Sequence, residues 1–101
     1  GSFFKNVFVS QDEFNALVKI YPEIPHFIED NVIKIPSGWL IEQCEWKGKR
    51  VGNTGVHEKQ ALVLVNHGGA TGGEVLNLAN KIIADVKEKF GLELMPEVNL
   101  I

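Results

Sequence analysis

The chain has 101 residues, of which 45% are apolar and 23% charged, and a net charge of −3. That length supports one hydrophobic core rather than two, and those proportions belong to folded globular domains rather than disordered ones. The acidic balance gives no long-range attraction for nucleic acid, no apolar run reaches the roughly 18 residues of a membrane helix, and the start lacks the order of a signal peptide. A single cysteine, Cys44, closes no intramolecular disulfide and has no neighbouring partners for zinc, which suits a reducing cytoplasm. Met95 is the only methionine, so the chain is expected to be processed or cut from something longer.

Phe3, Val7 and Val9 suit an extended first segment. Ser10 and Glu13 form a capping box, after which Phe14, Leu17, Val18 and Tyr21 recur at helical spacing until Pro22 ends the helix. A loop runs through Pro25 and Asn31. Val32, Ile33 and Ile35 make a short strand stopped by Pro36, and Ser37 can cap a short helix whose Leu40, Ile41 and Cys44 share a face, with Trp39 and Trp46 near its ends. Residues 47–55 carry three glycines and read as a loop or irregular strand. The apolar run from Ala61 to Val65 reads as a strand buried on both faces or central in a sheet. Thr71 and Glu74 form a second capping box, followed by Val75, Leu78, Ala79, Ile82, Ile83, Val86 and Phe90 at helical spacing, with Gly91 as the stop. Leu92, Leu94, Val98, Leu100 and Ile101 form a last extended stretch broken by Pro96. This order predicts one α+β domain over residues 1–101, with helices packed on one face of a small mixed or antiparallel sheet, a single pair of layers.

Several groupings carry potential chemistry. The glycine-rich stretch 66–73 leads into a helix N-terminus, where exposed amides can hold a phosphate. It matches neither a dinucleotide fingerprint nor a P-loop, so a plain tight connection is the better reading. His26, His57 and His67 are spaced too irregularly for a metal site, and Cys44 is explained by packing. Lys47, Lys49, Arg50 and Lys59 fall close together and could attract an anion locally, although a solvated face explains them better. Residues 56–60 place polar side chains at a strand entrance. Ser2 with Lys5 and Asn6 at one end, and Glu97 between Pro96 and Val98 at the other, are candidates for an acid and a carboxylate facing one site.

Taken together these segments resemble the C-terminal domain of UDP-N-acetylenolpyruvoylglucosamine reductase, the MurB family of peptidoglycan synthesis. The resemblance rests on Gly-Ser-Phe-Phe-Lys-Asn at residues 1–6, Gly-Trp-Leu-Ile-Glu-Gln-Cys at 38–44, the stretch 57–65 and Pro-Glu-Val at 96–98, and it runs the whole length. Val7 stands where the family usually has proline, and Met95 where an acidic residue is common. The family's glycine after the last isoleucine is missing, as expected of a trimmed chain.

The resemblance implies a parent oxidoreductase that uses NADPH to reduce a bound FAD and then reduces the enolpyruvyl group of UDP-N-acetylglucosamine enolpyruvate. It implies catalytic roles for Ser2, as general acid, and for Glu97, which stabilises an enol-type intermediate. Asn6 and Gln60 match positions that contact the nucleotide diphosphate, and Lys5 adds charge nearby. The FAD-binding domains, with an arginine that joins the glutamate, are expected to precede this segment, so the chain alone is expected to bind no flavin and to be inactive. The implied location is cytoplasmic, with neither nucleic acid nor membrane as partner. The rival expectation is a stand-alone small-ligand or protein-interaction module without catalysis.

Overall fold

The computed structural model describes residues 4–96. In chain order the elements are β1 (Val7–Val9), α1 (Gln11–Ile20), β2 (Phe27–Glu29), β3 (Val32–Ile35), α2 (Ser37–Gln43), β4 (Arg50–Val51), β5 (Thr54–Val56), β6 (Leu64–Asn66) and α3 (Gly72–Phe90). The α+β class expected from the sequence holds, and of the two sheet types it left open, mixed or antiparallel, every described strand pair is antiparallel. The strands, however, divide between two three-stranded sheets, ordered β1-β3-β2 and β4-β5-β6.

Both long helices begin where their capping boxes place them. Ser10 Oγ accepts from the Glu13 amide at 3.2 Å, and Thr71 Oγ1 accepts from the Glu74 amide at 3.2 Å. Such caps contribute about 1 kcal/mol each. Packing outweighs them: α3 buries Leu78, Ala79, Ile82, Val86 and Phe90, and each large apolar side chain removed from water contributes about 1.5–3 kcal/mol. Phe14 and Leu17 are the buried residues of α1. At the far end of the core, the Tyr21 and Trp39 rings lie 4.9 and 5.7 Å from the Phe90 ring, joining the ends of α1 and α3 to α2.

Two local readings of the sequence require correction, and a third, the loop or irregular strand of residues 47–55, is made specific. The loop assigned to Pro25 through Asn31 contains β2, which pairs with β3 through a two-residue turn with Asp30 and Asn31 at φ 49° and 67°. Both turn residues are left-handed, the requirement of the tight hairpin turns that match strand twist, and Asp and Asn tolerate that conformation better than most residues. Residues 47–55 contain a second hairpin, β4–β5, which turns on Gly52 at φ 60°. The run Ala61 to Val65 is not a central strand: β6 takes up only its end, pairs with β5 alone and is half-buried. Leu62 instead lies against the start of α2, where a Cβ on Gly38 would meet its Cγ at 3.4 Å.

The described ends of the chain meet. Phe4 and Pro96 form an antiparallel bridge, and the Lys5 amide donates to the Met95 carbonyl at 2.9 Å. Phe4 and Leu94 are buried, which anchors both ends in the core. Val98, Leu100 and Ile101 of the predicted last stretch lie outside the described residues.

Candidate functional site

The segment entering β1 and the segment following α3 run side by side through that bridge and form one wall of an open hollow of about 640 Å³. Lys5, Asn6 and Met95 line it, together with Leu62 from the turn before β6 and Glu29 and Lys34 from the first sheet. Lys34 is paired with Glu29 at 3.3 Å. Among the described residues the Lys5 ammonium has no carboxylate at ion-pair distance, while the carboxylates of Glu29 and Glu93 line the same hollow.

Asn6 has a second attachment. Its Oδ1 accepts from the Ser37 backbone amide at 3.2 Å and from Ser37 Oγ at 3.4 Å. This corrects the expectation that Ser37 caps α2. Ser37 is the first residue inside that helix, and the preceding Pro36 makes no side-chain cap. The cap oxygen therefore comes from Asn6, 31 residues away. Sequence reasoning missed Ser37 as a partner of the site because the local pattern Pro-Ser at a helix start reads as a cap in its own right.

The remaining predicted site residues fall as follows. Gln60 is exposed, and its carbonyl accepts from the Val63 amide at 3.0 Å in the turn before β6. It is two residues from Leu62 but does not line the hollow. Ser2 and Glu97 lie outside the described residues, so the structure brings together Lys5 and Asn6 of the predicted set.

The cationic cluster is largely occupied within the fold. Lys47 pairs with Glu42 at 3.5 Å, Lys49 lies 4.6 Å from the Trp46 ring centre, and Arg50 Nε donates to the Gly52 carbonyl at 2.8 Å. The histidines serve local structure too: His26 lies 4.4 Å from the Phe14 ring, and His57 Nδ1 accepts from the Lys59 amide at 3.0 Å. Among the described residues no group of histidine, cysteine and carboxylate side chains could hold a metal ion. Cys44 is half-buried, and burial is the main cause that pushes its thiol above the usual range. Lys89 works against that rise and Asp85 adds to it.

In the glycine-rich stretch two backbone amides are engaged within the loop itself. Asn66 Oδ1 accepts from the Gly68 and Ala70 amides at 2.8 and 3.2 Å, and at the start of α3 Thr71 holds the Glu74 amide. The Glu74 carboxylate is 3.5 Å from the Thr71 amide, so the helix N-terminus already carries its own anion. Among the described residues no helix is long and apolar enough to cross a membrane.

Fold and hollow together define a small α+β domain in which the segments around Phe4 and Pro96 converge on one open face of mixed polarity. Residues 1–101 match the family described as UDP-N-acetylenolpyruvoylglucosamine reductase, C-terminal domain, and the chain belongs to it. It is 51% identical to the UDP-N-acetylenolpyruvoylglucosamine reductase of Bacteroides fragilis over 102 residues, covering 100% of this chain and 31% of that protein. The protein of the same name from Porphyromonas gingivalis is 56% identical, with 100% of this chain and 30% of the relative covered. The one from Paraburkholderia xenovorans is 51% identical over 98 residues, covering 96% of the chain and 28% of the relative. The chain thus spans about a third of the length of these relatives or slightly less.

Proposed function

We propose that this chain is the substrate-binding and proton-donating domain of a longer, cytoplasmic NADPH- and FAD-dependent reductase that converts the enolpyruvyl group of UDP-N-acetylglucosamine enolpyruvate to a lactyl group. The observation that carries this reading is the family match over residues 1–101, made with the motif Ser2 to Asn6 intact. The bridge between Phe4 and Pro96, neighbours in sequence of Ser2 and Glu97, adds support for a shared role. In this reading hydride reaches the substrate from the remainder of the longer protein, in keeping with a chain that covers 31% of its Bacteroides fragilis relative.

In this reading the enolpyruvyl β-carbon receives hydride and the α-carbon receives a proton from Ser2. A serine hydroxyl is a weak acid, so it acts only on a strongly basic centre within hydrogen-bond reach, which an enolate-type intermediate provides. Glu97 stabilises that intermediate. Lys5, Asn6 and Gln60 supply one ammonium and two amide groups, all donors suited to the oxygens of a diphosphate. The chain alone, lacking a hydride source, is inactive.

Replacing Ser2 by Ala in the full-length protein separates the two halves of the reaction. Flavin reduction by NADPH continues at its normal rate, while reoxidation by the enolpyruvyl substrate slows about a hundredfold or more. Stopped-flow absorbance of the flavin reads both, and unchanged reoxidation would remove the acid role from Ser2.

A further inference from the structure

We propose that Ser37 is a positioning residue for Asn6, fixing its side-chain amide as a dedicated hydrogen-bond donor toward the anionic part of the substrate. The inference rests on the reading that Asn6 meets the diphosphate, and it adds the residue that sets the direction in which Asn6 faces. Ser37 is fully buried, at 0% exposure, in the first turn of α2. Its two donors converge on a single atom of Asn6, at 3.2 Å from the amide nitrogen and 3.4 Å from Oγ.

A backbone amide can only donate, so the atom of Asn6 that faces Ser37 is the carbonyl oxygen. That settles which way the side-chain amide is turned. Its other end, the Nδ2 group with two N–H donors, is left for the hollow that Asn6 lines beside Lys5. An asparagine held by nothing presents oxygen or nitrogen to a ligand with similar ease, and an oxygen facing a diphosphate repels it. Buried, with both donors engaged on one acceptor, Ser37 removes that alternative. Capping α2 and orienting a ligand donor are then performed by opposite ends of one amide.

The test uses the full-length protein and the steady-state KM for UDP-N-acetylglucosamine enolpyruvate, with thermal unfolding as a second readout. Ser37→Ala keeps the backbone amide and loses the hydroxyl. Because the backbone amide still holds the Asn6 oxygen and only the longer of the two contacts is lost, KM is expected to rise about twofold to fourfold, the low end of one hydrogen bond, with kcat within about 20%. In an Asn6→Ala background the same change adds nothing, because there is no amide left to orient. Asn6→Asp keeps an acceptor for Ser37 and so melts close to wild type, whereas its carboxylate repels the diphosphate and KM rises further than in Asn6→Ala. The two Asn6 variants leave Ser37 unaltered and keep the test decisive if Ser37→Ala lowers stability.

An equal rise in KM from Ser37→Ala in both backgrounds, or no rise in either, overturns the positioning role, as does Asn6→Asp melting like Asn6→Ala. An unchanged KM in Asn6→Ala overturns the diphosphate contact itself, and the positioning role with it.

Discussion

Trp46 donates its indole N–H to Asp85 Oδ2 at 2.8 Å, tying the segment after α2 to α3. Lys49 covers the ring face at 4.6 Å, so a buried aromatic side chain is satisfied at its one polar atom and shielded by a cation. Asp85 thereby stays fixed close to Cys44, and the two line, with Lys89, a second hollow separate from that of Lys5 and Asn6. Burial raises the Cys44 thiol, the lysine opposes the rise, and the aspartate adds to it. The folded chain therefore holds the thiol proton to higher pH than the unfolded chain. Its contribution to stability is complete below the unfolded thiol's titration and is lost as pH rises through the folded one. The rate of alkylation by iodoacetamide, followed against pH, is expected to show a midpoint above that of the urea-unfolded chain. Asp85→Asn lowers that midpoint and Lys89→Ala raises it; a midpoint equal in folded and unfolded chain would remove burial as the cause.

At the scale of the elements, the two helix ends illustrate one rule used well and used at a cost. Gly91 ends α3 in the left-handed conformation at φ 71°, where a residue without Cβ meets no steric penalty. Glu45 follows α2 at φ 64°, in a Schellman arrangement where the Trp46 and Glu45 amides donate to the Ile41 and Glu42 carbonyls at 3.4 and 3.0 Å. The geometry calls for glycine there too. Glu45→Gly is expected to stabilise the chain by about 1 kcal/mol and Gly91→Ala to destabilise it by a similar amount, both read from urea unfolding; a loss of stability in Glu45→Gly would show that the glutamate side chain matters more than its backbone. These ends also show which features were legible. The capping boxes and the Gly91 stop were readable because each is a contact between residues at most four apart. The β2–β3 hairpin was equally local, yet its Asp30-Asn31 turn lacks the glycine that usually signals one. Ser37 was misread because its partner Asn6 is 31 residues away, beyond any local pattern. Ala61 to Val65 was misread because an apolar run shows that a segment is covered, not what covers it.

For the molecule as a whole, the first sheet leaves an aromatic row uncovered among the described residues. Phe8, Lys34 and Phe27 stand opposite one another across the three strands, with Phe8 54% and Phe27 56% exposed. Under the proposed function this face and the half-buried run before β6 are covered by the rest of a longer protein, in keeping with a chain that matches 31% of its Bacteroides fragilis relative. The site was legible to the same partial extent. Lys5 and Asn6 stood beside Ser2 as groups able to donate to an anion, but their place at the diphosphate, like the roles of Ser2 and Glu97, came from family resemblance, and Ser2 and Glu97 lie outside the described residues. A flavin dinucleotide needs amides or cations for its pyrophosphate, and here Asn66 occupies the amides of Gly68 and Ala70 while Glu74 occupies the start of α3. Opening that loop for a phosphate would break two hydrogen bonds and set a dianion beside a carboxylate, a like-charge contact at a helix end that otherwise favours anions. The chain on its own, titrated into FAD, is therefore expected to leave the flavin fluorescence unchanged up to protein concentrations well above those at which flavoenzymes saturate. Saturable quenching that Asn66→Ala strengthened would mean that the loop opens, and would move part of the cofactor site from the rest of the protein into this domain.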